Sequence, residues 1–297
     1  MIDGWTWDET LFAGTAAYYE RGRLPYAPGL ADALAGVLRL DGRGRLLDVG
    51  CGPGTLALLL AHRFEEVVGV DPDAGMIAAA RRAAKAAEVA GRSTWLRIRA
   101  EQLPAGLGTF TVATFGQSFH WMDRDLVAAT VRGMLRPGGA LVHVSDLKPD
   151  LKPDLKPGDG PNPKEDPRPA EGLPHPPVPD AAIGELVRRY LGPVRRAGRG
   201  LLAAGTPGNE SAVLARAGFA GPERVVVPGG LVLERTVDDV VAGVFSMSFS
   251  APHLFGPGRA AFEADLRRLL ARASAAGRFS VRQPATEVFV WRPVGVP

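Results

Sequence analysis

Short apolar runs alternate with longer amphipathic segments between residues 46 and 146. Runs of this kind, bounded by turn residues, predict buried strands, and apolar positions at helical spacing predict the helices between them. Such alternation is typical of βαβ units, which build a parallel sheet. The predicted strands are 46–50, 67–71, 95–100, 111–118 and 140–145, and the predicted helices are 53–63, 73–89 and 123–135.

The pattern changes after residue 146, where proline and glycine become dense and Asp-Leu-Lys-Pro occurs three times in succession, starting at Asp146, Asp150 and Asp154. Each proline removes a backbone donor and restricts the residue before it, so the repeat can neither join a sheet nor extend a helix. The sequence predicts a surface loop without a catalytic role, with a substrate lid as the alternative.

Regular structure is predicted again from residue 180 onward. A helix is expected at 180–191, a two-stranded turn pairs 223–227 with 231–234 around Pro228-Gly229-Gly230, and Thr236 begins a helix because a hydroxyl cap followed by acids suits a helix amino terminus. A helix at 258–275 and a closing strand at 286–291 complete the expected order.

Composition limits the classes of protein that fit. The chain has 297 residues, 46% of them hydrophobic, which is enough for one large core. A formal net charge of +3 indicates no cationic stripe, so we expect no nucleic-acid partner. The single cysteine, Cys51, excludes an intramolecular disulfide and favours a reducing compartment. Without a leader-like amino terminus or a membrane-length apolar run, a cytoplasmic protein without a membrane partner is expected.

Candidate chemistry begins at a glycine-rich turn that joins the first predicted strand to a helix. Gly50, Gly52 and Gly54 let the backbone approach a ligand closely, and Asp71 follows Gly50 by 21 residues, the spacing at which a carboxylate reaches the hydroxyls of a bound ribose. Dinucleotide sites usually place the third glycine one residue later. Asp48 offers a carboxylate for an ammonium such as that of S-adenosylmethionine.

Five motifs then carry a family resemblance. They are Leu-Asp-Val-Gly-Cys-Gly-Pro-Gly at 47–54, Gly69-Val70-Asp71-Pro72 with Met76, Ala100-Glu101-Gln102-Leu103-Pro104, Gln117-Ser118-Phe119-His120-Trp121 and Leu135-Arg136-Pro137-Gly138-Gly139. In this order and spacing they resemble class I S-adenosylmethionine-dependent methyltransferases, in the small-molecule branch similar to trans-aconitate and quinone-biosynthesis methyltransferases.

The resemblance implies an α/β fold with a Rossmann-like, mostly parallel seven-stranded sheet, helices on both faces, an antiparallel carboxyl-terminal strand and helical cap elements. It implies a helical cap segment at 1–45, an S-adenosylmethionine-binding core at 46–146, the proline-rich insert at 147–179, and the rest of the domain with substrate-cap elements at 180–297. Monomer and homodimer both remain open.

The resemblance also implies roles for individual residues. The glycines would wrap the methionine and sugar of the cofactor, Asp71 would bind the ribose, Met76 would line the adenine, and Gln117 would lie near the sulfonium. Arg99 holds the place of an acid found in many relatives, so the adenine edge is assigned to Ala100 and Glu101. The full expected cofactor set is Asp48, Gly50, Cys51, Gly52, Gly54, Asp71, Pro72, Met76, Ala100, Glu101 and Gln117.

His120 is the candidate general base for a hydroxyl or amine acceptor, because it follows the fourth strand at the edge where ligands bind in such folds. A structural role for His120 and Trp121 is the alternative. The expected acceptor pocket comprises Tyr18, Tyr19, Arg23, Trp121 and His253.

The sequence thus predicts in-line transfer of a methyl group to an oxygen or nitrogen atom of a small molecule, with a carbon acceptor left open. A nicotinamide-dependent oxidoreductase and a non-methylating S-adenosylmethionine-binding protein are the alternatives. No group of acids and histidines has metal-ligand spacing, so no metal is predicted.

Overall fold

The computed structural model describes residues 8, 10–147, 172–198, 200–201 and 208–295. The segment 147–179, predicted as an insert, lies outside the described residues except at Leu147 and 172–179, and most of the Asp-Leu-Lys-Pro repeat lies outside them.

A seven-stranded sheet in the order β3-β2-β1-β4-β5-β11-β8 forms the centre of the fold. The strands in the described part are β1 (Arg45–Val49), β2 (Glu66–Val70), β3 (Ser93–Leu96), β4 (Phe110–Gly116), β5 (Leu135–Asp146), β6 (Arg196–Ala197), β7 (Gly200–Leu201), β8 (Phe219–Val227), β9 (Val232–Thr236), β10 (Arg278–Arg282) and β11 (Thr286–Pro293). Strands β1 to β5 pair in parallel, and β11 is antiparallel to both β5 and β8. The predicted sheet is confirmed, including its antiparallel closing strand.

Helices cover both faces of this sheet. Those described are α1 (Ala16–Gly22), α2 (Leu30–Leu38), α3 (Thr55–Leu60), α4 (Ala74–Ala86), α5 (Arg124–Met134), α6 (Asp180–Leu191), α7 (Glu210–Arg216), α8 (Val237–Phe245) and α9 (Arg259–Ala273). Short 3-10 turns occur at Ala61–Arg63, Ala90–Arg92, Ala100–Gln102, Phe119–Trp121 and Pro252–Gly258.

Alternation along β1 assigns its side chains to two apolar clusters. Leu46 packs with α3 through Leu56, whereas Leu47 packs with α5 through Val127 on the other face. Successive strand residues point to opposite faces, so a sheet covered on both sides requires the continuous apolar run seen in the sequence. This burial fixes where the carboxyl ends of the parallel strands lie.

A third apolar cluster joins α6, α8 and α9 above the edge of the sheet, and we call these helices together with α1 the cap. Helix α1 fits tightly against α8, since a Cβ added at Gly22 would come within 2.4 Å of the Ala242 carbonyl oxygen. The guanidinium of Arg235 donates to the Gly22 carbonyl at 3.1 Å. The amino-terminal part of the cap is therefore held by residues more than two hundred positions later.

The predicted pairing of 223–227 with 231–234 is wrong. Strand β8 pairs with β11 in the large sheet, while β9 pairs with β10 in a separate two-stranded sheet. The turn at Pro228-Gly229-Gly230 carries the chain out of the large sheet, and Gly230 donates to the Gln283 carbonyl instead of closing a hairpin.

Other boundaries differ less. The third strand ends at Leu96, and Ala100–Gln102 forms a 3-10 turn, so the expected strand at 95–100 is too long. The helix start at Thr236 is confirmed, because its hydroxyl accepts from Asp239 and the Asp239 carboxylate accepts from the Thr236 amide.

Candidate active site

A cavity of about 520 Å³ opens at the carboxyl ends of the parallel strands. Strands β1 and β4 are neighbours in the middle of the sheet. From β1 the strand order continues outward through β2 and β3, and from β4 it continues in the opposite direction through β5. Ligands of open α/β sheets bind at such a switch point. The cavity lies under the cap, since residues of α1 and of the segment after α8 also line it.

The glycine turn after β1 forms part of the floor. Gly50, Gly52 and Gly54 have φ angles of 68°, 54° and 83°, in the left-handed region that favours glycine. A Cβ at Gly50 would lie 2.6 Å from the Ser118 Cβ, and one at Gly54 would lie 2.7 Å from the Trp95 ring, whereas one at Gly52 would meet nothing within 4 Å. Gly50 and Gly54 thus permit close packing, and Gly52 presents open backbone to the cavity.

The carboxylate of Asp71 is fixed beside this turn. It accepts a hydrogen bond from the Gly52 amide and another from the Asp73 amide, each at 2.9 Å. Burial raises the pKa of Asp71 to about 6, although these two bonds lower it. Asp71 and its neighbours Pro72 and Met76 all line the cavity, so the structure brings them together as the sequence predicted.

Asp48, Cys51 and Gly54 do not line the cavity. The Asp48 side chain is buried below the turn, where one carboxylate oxygen accepts from the Thr114 hydroxyl at 2.8 Å and the other has no hydrogen-bond partner among the described residues. Asp48 therefore does not reach the cavity surface, and its expected role at the cofactor ammonium stays a prediction. The physical reason is its position inside β1, which is covered on both faces.

Burial raises the pKa of Asp48 from 3.8 to about 7, with the Thr114 hydrogen bond opposing the shift. A carboxyl whose folded pKa is raised contributes stability at low pH that is lost as the pH rises through that pKa. We expect Asp48→Asn to become progressively more stable than the wild type as the pH rises from 3.8 to about 7, toward a difference of about 4 kcal/mol, because the amide stays neutral.

Thermal unfolding of the cofactor-free protein at a series of pH values measures this effect. Groups that do not interact with Asp48 titrate in the same way in both proteins, so their contribution cancels in the difference, and Asp71→Asn in both backgrounds removes the group that does interact with it. A difference that stays constant from pH 5 to pH 8 would contradict an elevated Asp48 pKa.

The side of the cavity next to Asp71 is completed by Ala100 and Glu101. One oxygen of the Glu101 carboxylate accepts from the Asp123 amide at 3.0 Å, and the other lies 3.3 Å from the Arg99 guanidinium. These contacts orient Glu101 at the expected adenine edge. Arg99 also lines the cavity, where its guanidinium forms an ion pair with the Glu101 carboxylate.

Gln117 lies at the end of β4 with a φ of 55°, an uncommon conformation for a residue other than glycine. Its side-chain amide donates to the Asp146 carboxylate at 3.0 Å, and its backbone amide donates to the Val144 carbonyl. Such backbone strain persists where surrounding contacts over-determine it, and it clusters at functional sites. Gln117 and Asp146 thereby join the ends of β4 and β5 in the cavity floor.

His120 and Trp121 line the cavity on the 3-10 turn after β4, with ring centroids 4.7 Å apart. The indole packs against Leu11 and Ala197, and the Phe12 ring meets it edge-on at 6.2 Å. The imidazole therefore lies on an apolar wall and at the cavity surface.

Helix α1 contributes Tyr19 and, at its end, Arg23 to the cavity. The Arg23 guanidinium lies 4.9 Å from the Tyr19 ring centroid and donates to the Ser246 carbonyl at 2.9 Å. Burial raises the pKa of Tyr19, with the charge of Arg23 opposing the shift. Arg23 thus connects α1 to the segment after α8.

Tyr18 and His253, expected in the acceptor pocket, do not line the cavity. The Tyr18 ring lies 5.1 Å from that of Phe245 and its hydroxyl contacts Arg259, while the His253 Nδ1 is 3.0 Å from the Ala13 carbonyl. Tyr18 thus packs within the cap, and His253 contacts the segment that precedes α1. Consecutive helical residues point in different directions, so Tyr18 and Tyr19 cannot share one face of α1.

Sequence reasoning missed several lining residues. They are Leu11, Phe12, Tyr26, Ser118, Asp146, Arg195, Met247 and Phe249, among others. The Tyr26 hydroxyl would lie 2.8 Å from a Cβ at Gly116, so this glycine makes room for a phenol at the end of β4. A glycine directly before Gln117 was the available signal for such a close approach.

Among the residues that the structure describes, no group of three or more His, Cys, Asp or Glu side chains could hold a metal ion. No helix in the same part of the chain is long and apolar enough to cross a membrane.

Residues 46–139 match the family model described as "Methyltransferase domain". They form a class I S-adenosylmethionine-dependent methyltransferase domain. The match begins in β1 and ends within β5, so this methyltransferase domain contains the glycine turn, Asp71 and the His120–Trp121 turn.

Curated relatives support the same family. An uncharacterized methyltransferase of Mycobacterium tuberculosis is 35% identical over 130 residues, which cover 44% of this chain and 49% of that protein. The 27-O-demethylrifamycin SV methyltransferase of Amycolatopsis mediterranei is 36% identical over 114 residues, or 38% and 42% of the two chains. The chain spans about half the length of the curated relatives it matches.

The fold is similar over more of the chain. A structure of an S-adenosylmethionine-dependent methyltransferase from Thiobacillus denitrificans in complex with S-adenosylhomocysteine aligns with a TM-score of 0.51 at 16% identity, covering 94% of this chain and 97% of that one. At this identity the alignment demonstrates a shared fold.

Proposed function

We propose that the protein transfers a methyl group from S-adenosylmethionine to an oxygen or nitrogen atom of a small molecule, with carbon as a further acceptor atom. The observation that carries the proposal is that one cavity is lined by both Asp71 and the His120–Trp121 turn. Both belong to the residues that match the methyltransferase domain. Asp71, Met76 and Glu101 offer the groups that a nucleoside requires, and the same cavity contains an imidazole beside an apolar wall.

The residues present fit the cofactor. Asp71 would hold the ribose hydroxyls, Met76 and Glu101 would contact the adenine, and the open backbone at Gly52 leaves room for the methionine portion. The Nε of Arg23 is buried without a hydrogen-bond partner among the described residues. A carboxylate on the cofactor would supply the missing acceptor, since an unpaired buried donor is costly.

When bound, S-adenosylmethionine supplies a methyl group on a positively charged sulfur. The protein's own contribution is to orient the acceptor, exclude water and remove a proton. Residues of the cap and the apolar wall around Trp121 line the cavity beside the acceptor, and His120 accepts the proton of a hydroxyl or amine acceptor.

Two measurements test the proposal. Binding to the folded state raises the unfolding midpoint, so S-adenosylhomocysteine should stabilise the protein and NAD should not. Stabilisation by NAD alone would contradict the proposal and favour a nicotinamide-dependent oxidoreductase.

The second measurement is transfer of a labelled methyl group from S-adenosylmethionine to compounds of a metabolite extract. A labelled small molecule is the expected result. Tight binding of S-adenosylhomocysteine without any labelled product would instead favour a protein that binds the cofactor without methyl transfer.

A further inference from the structure

Arg195 lines the cavity directly before β6. Two residues later, Ala197 packs with Leu11 and Trp121 in one small apolar cluster. The segment that carries Arg195 is therefore anchored beside the Trp121 indole, whose neighbour in the chain is His120.

Arg195 is an exposed residue of the cavity lining, and it is not paired with an acid in the described part of the chain. Arg99 pairs with Glu101, and Arg23 donates to the Ser246 carbonyl, but Arg195 has neither a hydrogen bond nor an ion pair to any residue that the structure describes. Its guanidinium carbon lies 5.3 Å from the centroid of the Phe249 ring. The partial loss of solvent around the guanidinium lowers the pKa of Arg195, and no acidic group among the described residues offsets that effect.

The carboxylates of the cavity are engaged elsewhere. Asp71 and Asp73 accept backbone amides at the glycine turn and at the start of α4, Glu101 contacts Arg99, and Asp146 accepts from Gln117. The Phe249 ring lies beside Arg195, and Phe12 and Met247 also line the cavity. The cavity thus combines the positive charge of Arg195 with aromatic and aliphatic surfaces.

We propose that the methyl acceptor is an organic acid with an apolar, ring-bearing body, and that Arg195 binds its carboxylate. The ring would lie among Phe12, Trp121 and Phe249, and the anion would satisfy a guanidinium suited to bidentate recognition of a carboxylate. This assignment rests on the proposed methyl transfer because it names the substrate class of the same cavity.

Calorimetry on protein saturated with S-adenosylhomocysteine tests this assignment. The probes are aromatic carboxylic acids, each compared with its primary amide, which has nearly the same shape without the charge. At least one acid should bind the wild type about tenfold or more tightly than its amide, and the preference should weaken with added salt.

Variants connect the preference to Arg195. Arg195→Gln should reduce it to near unity, Arg195→Lys should retain part of it because the charge remains, and Arg189→Gln should leave it unchanged. Arg189 is a matched control, since it is exposed on α6 and does not line the cavity. All variants should bind S-adenosylhomocysteine with the affinity of the wild type.

The assignment is overturned if no acid of the panel binds, if the amides bind as tightly as the acids, or if Arg195→Gln keeps the preference. Failure of the wild type to bind S-adenosylhomocysteine would count against the proposed function instead. The comparison of acids with amides is then made on the cofactor-free protein, where the same outcomes decide the role of Arg195.

Discussion

Replacement of His120 by alanine should lower kcat about 10²- to 10⁴-fold, the usual contribution of a positioned general base. His120 follows β4 at the edge of the sheet and lines the same cavity as Asp71. Because the proposed role of the imidazole is toward the acceptor, the affinity for S-adenosylhomocysteine should stay unchanged. The measurement is steady-state kinetics with an acceptor found in the labelled-methyl screen, together with calorimetry for the cofactor product.

The pH profile distinguishes a base from a structural residue. Wild-type kcat/KM should fall on the acidic side as the imidazole becomes protonated, and His120→Ala should lose that limb. His62→Ala is the matched control, because His62 is exposed on the 3-10 turn Ala61–Arg63 and does not line the cavity. Undiminished turnover in His120→Ala, or a loss fully explained by a lower unfolding midpoint, would support the structural alternative.

Asp71→Ala should raise the dissociation constant for S-adenosylhomocysteine about 5- to 150-fold, which corresponds to about 1 to 3 kcal/mol for hydrogen bonds that involve a charged group. The change removes the acceptor proposed for the ribose hydroxyls. It also releases the amides of Gly52 and Asp73, which Asp71 now holds, so the glycine turn loses its fixed position.

Asp125→Ala provides the control for this binding measurement. The Asp125 carboxylate is exposed on α5 and accepts from the Arg216 guanidinium at 2.7 Å, and it does not line the cavity. Its loss should cost little stability, as is usual for an exposed ion pair, while leaving cofactor affinity intact. Equal affinities of Asp71→Ala and wild type would refute the ribose assignment.

The parallel core was predictable because both faces of its strands are covered. Burial on two sides produces continuous apolar runs such as Leu46–Val49, and glycine and proline mark where each run ends. Helices α5 and α6 were predictable for a related reason, since one apolar face repeats at helical spacing within each.

Pairing between distant strands could not be derived in this way. The sequence at 223–234 has the local appearance of a hairpin, yet β8 finds its partner in β11 and β9 finds its partner in β10. Local turn residues favour a reversal, but they carry no information about a third strand that competes for the same hydrogen bonds.

The two acidic residues of the cofactor motifs illustrate a similar limit. Asp48 lies inside β1 and is buried, whereas Asp71 follows the last residue of β2 and reaches the cavity. Their spacing to the glycines does not distinguish these positions. Arg195 and Tyr26 were missed because nothing near them in sequence indicates which wall of the cavity they approach.

The contact between Gly22 and Ala242 has a consequence for engineering. Helices α1 and α8 fit together without room for a Cβ at Gly22, and Arg235, just before α8, donates to the Gly22 carbonyl. The two helices must therefore be exchanged together. A chimera that imports only one of them from a relative would inherit a clash or a gap at that junction. Transplanting both helices would retain the contact between α1 and α8 while exchanging residues that line the cavity.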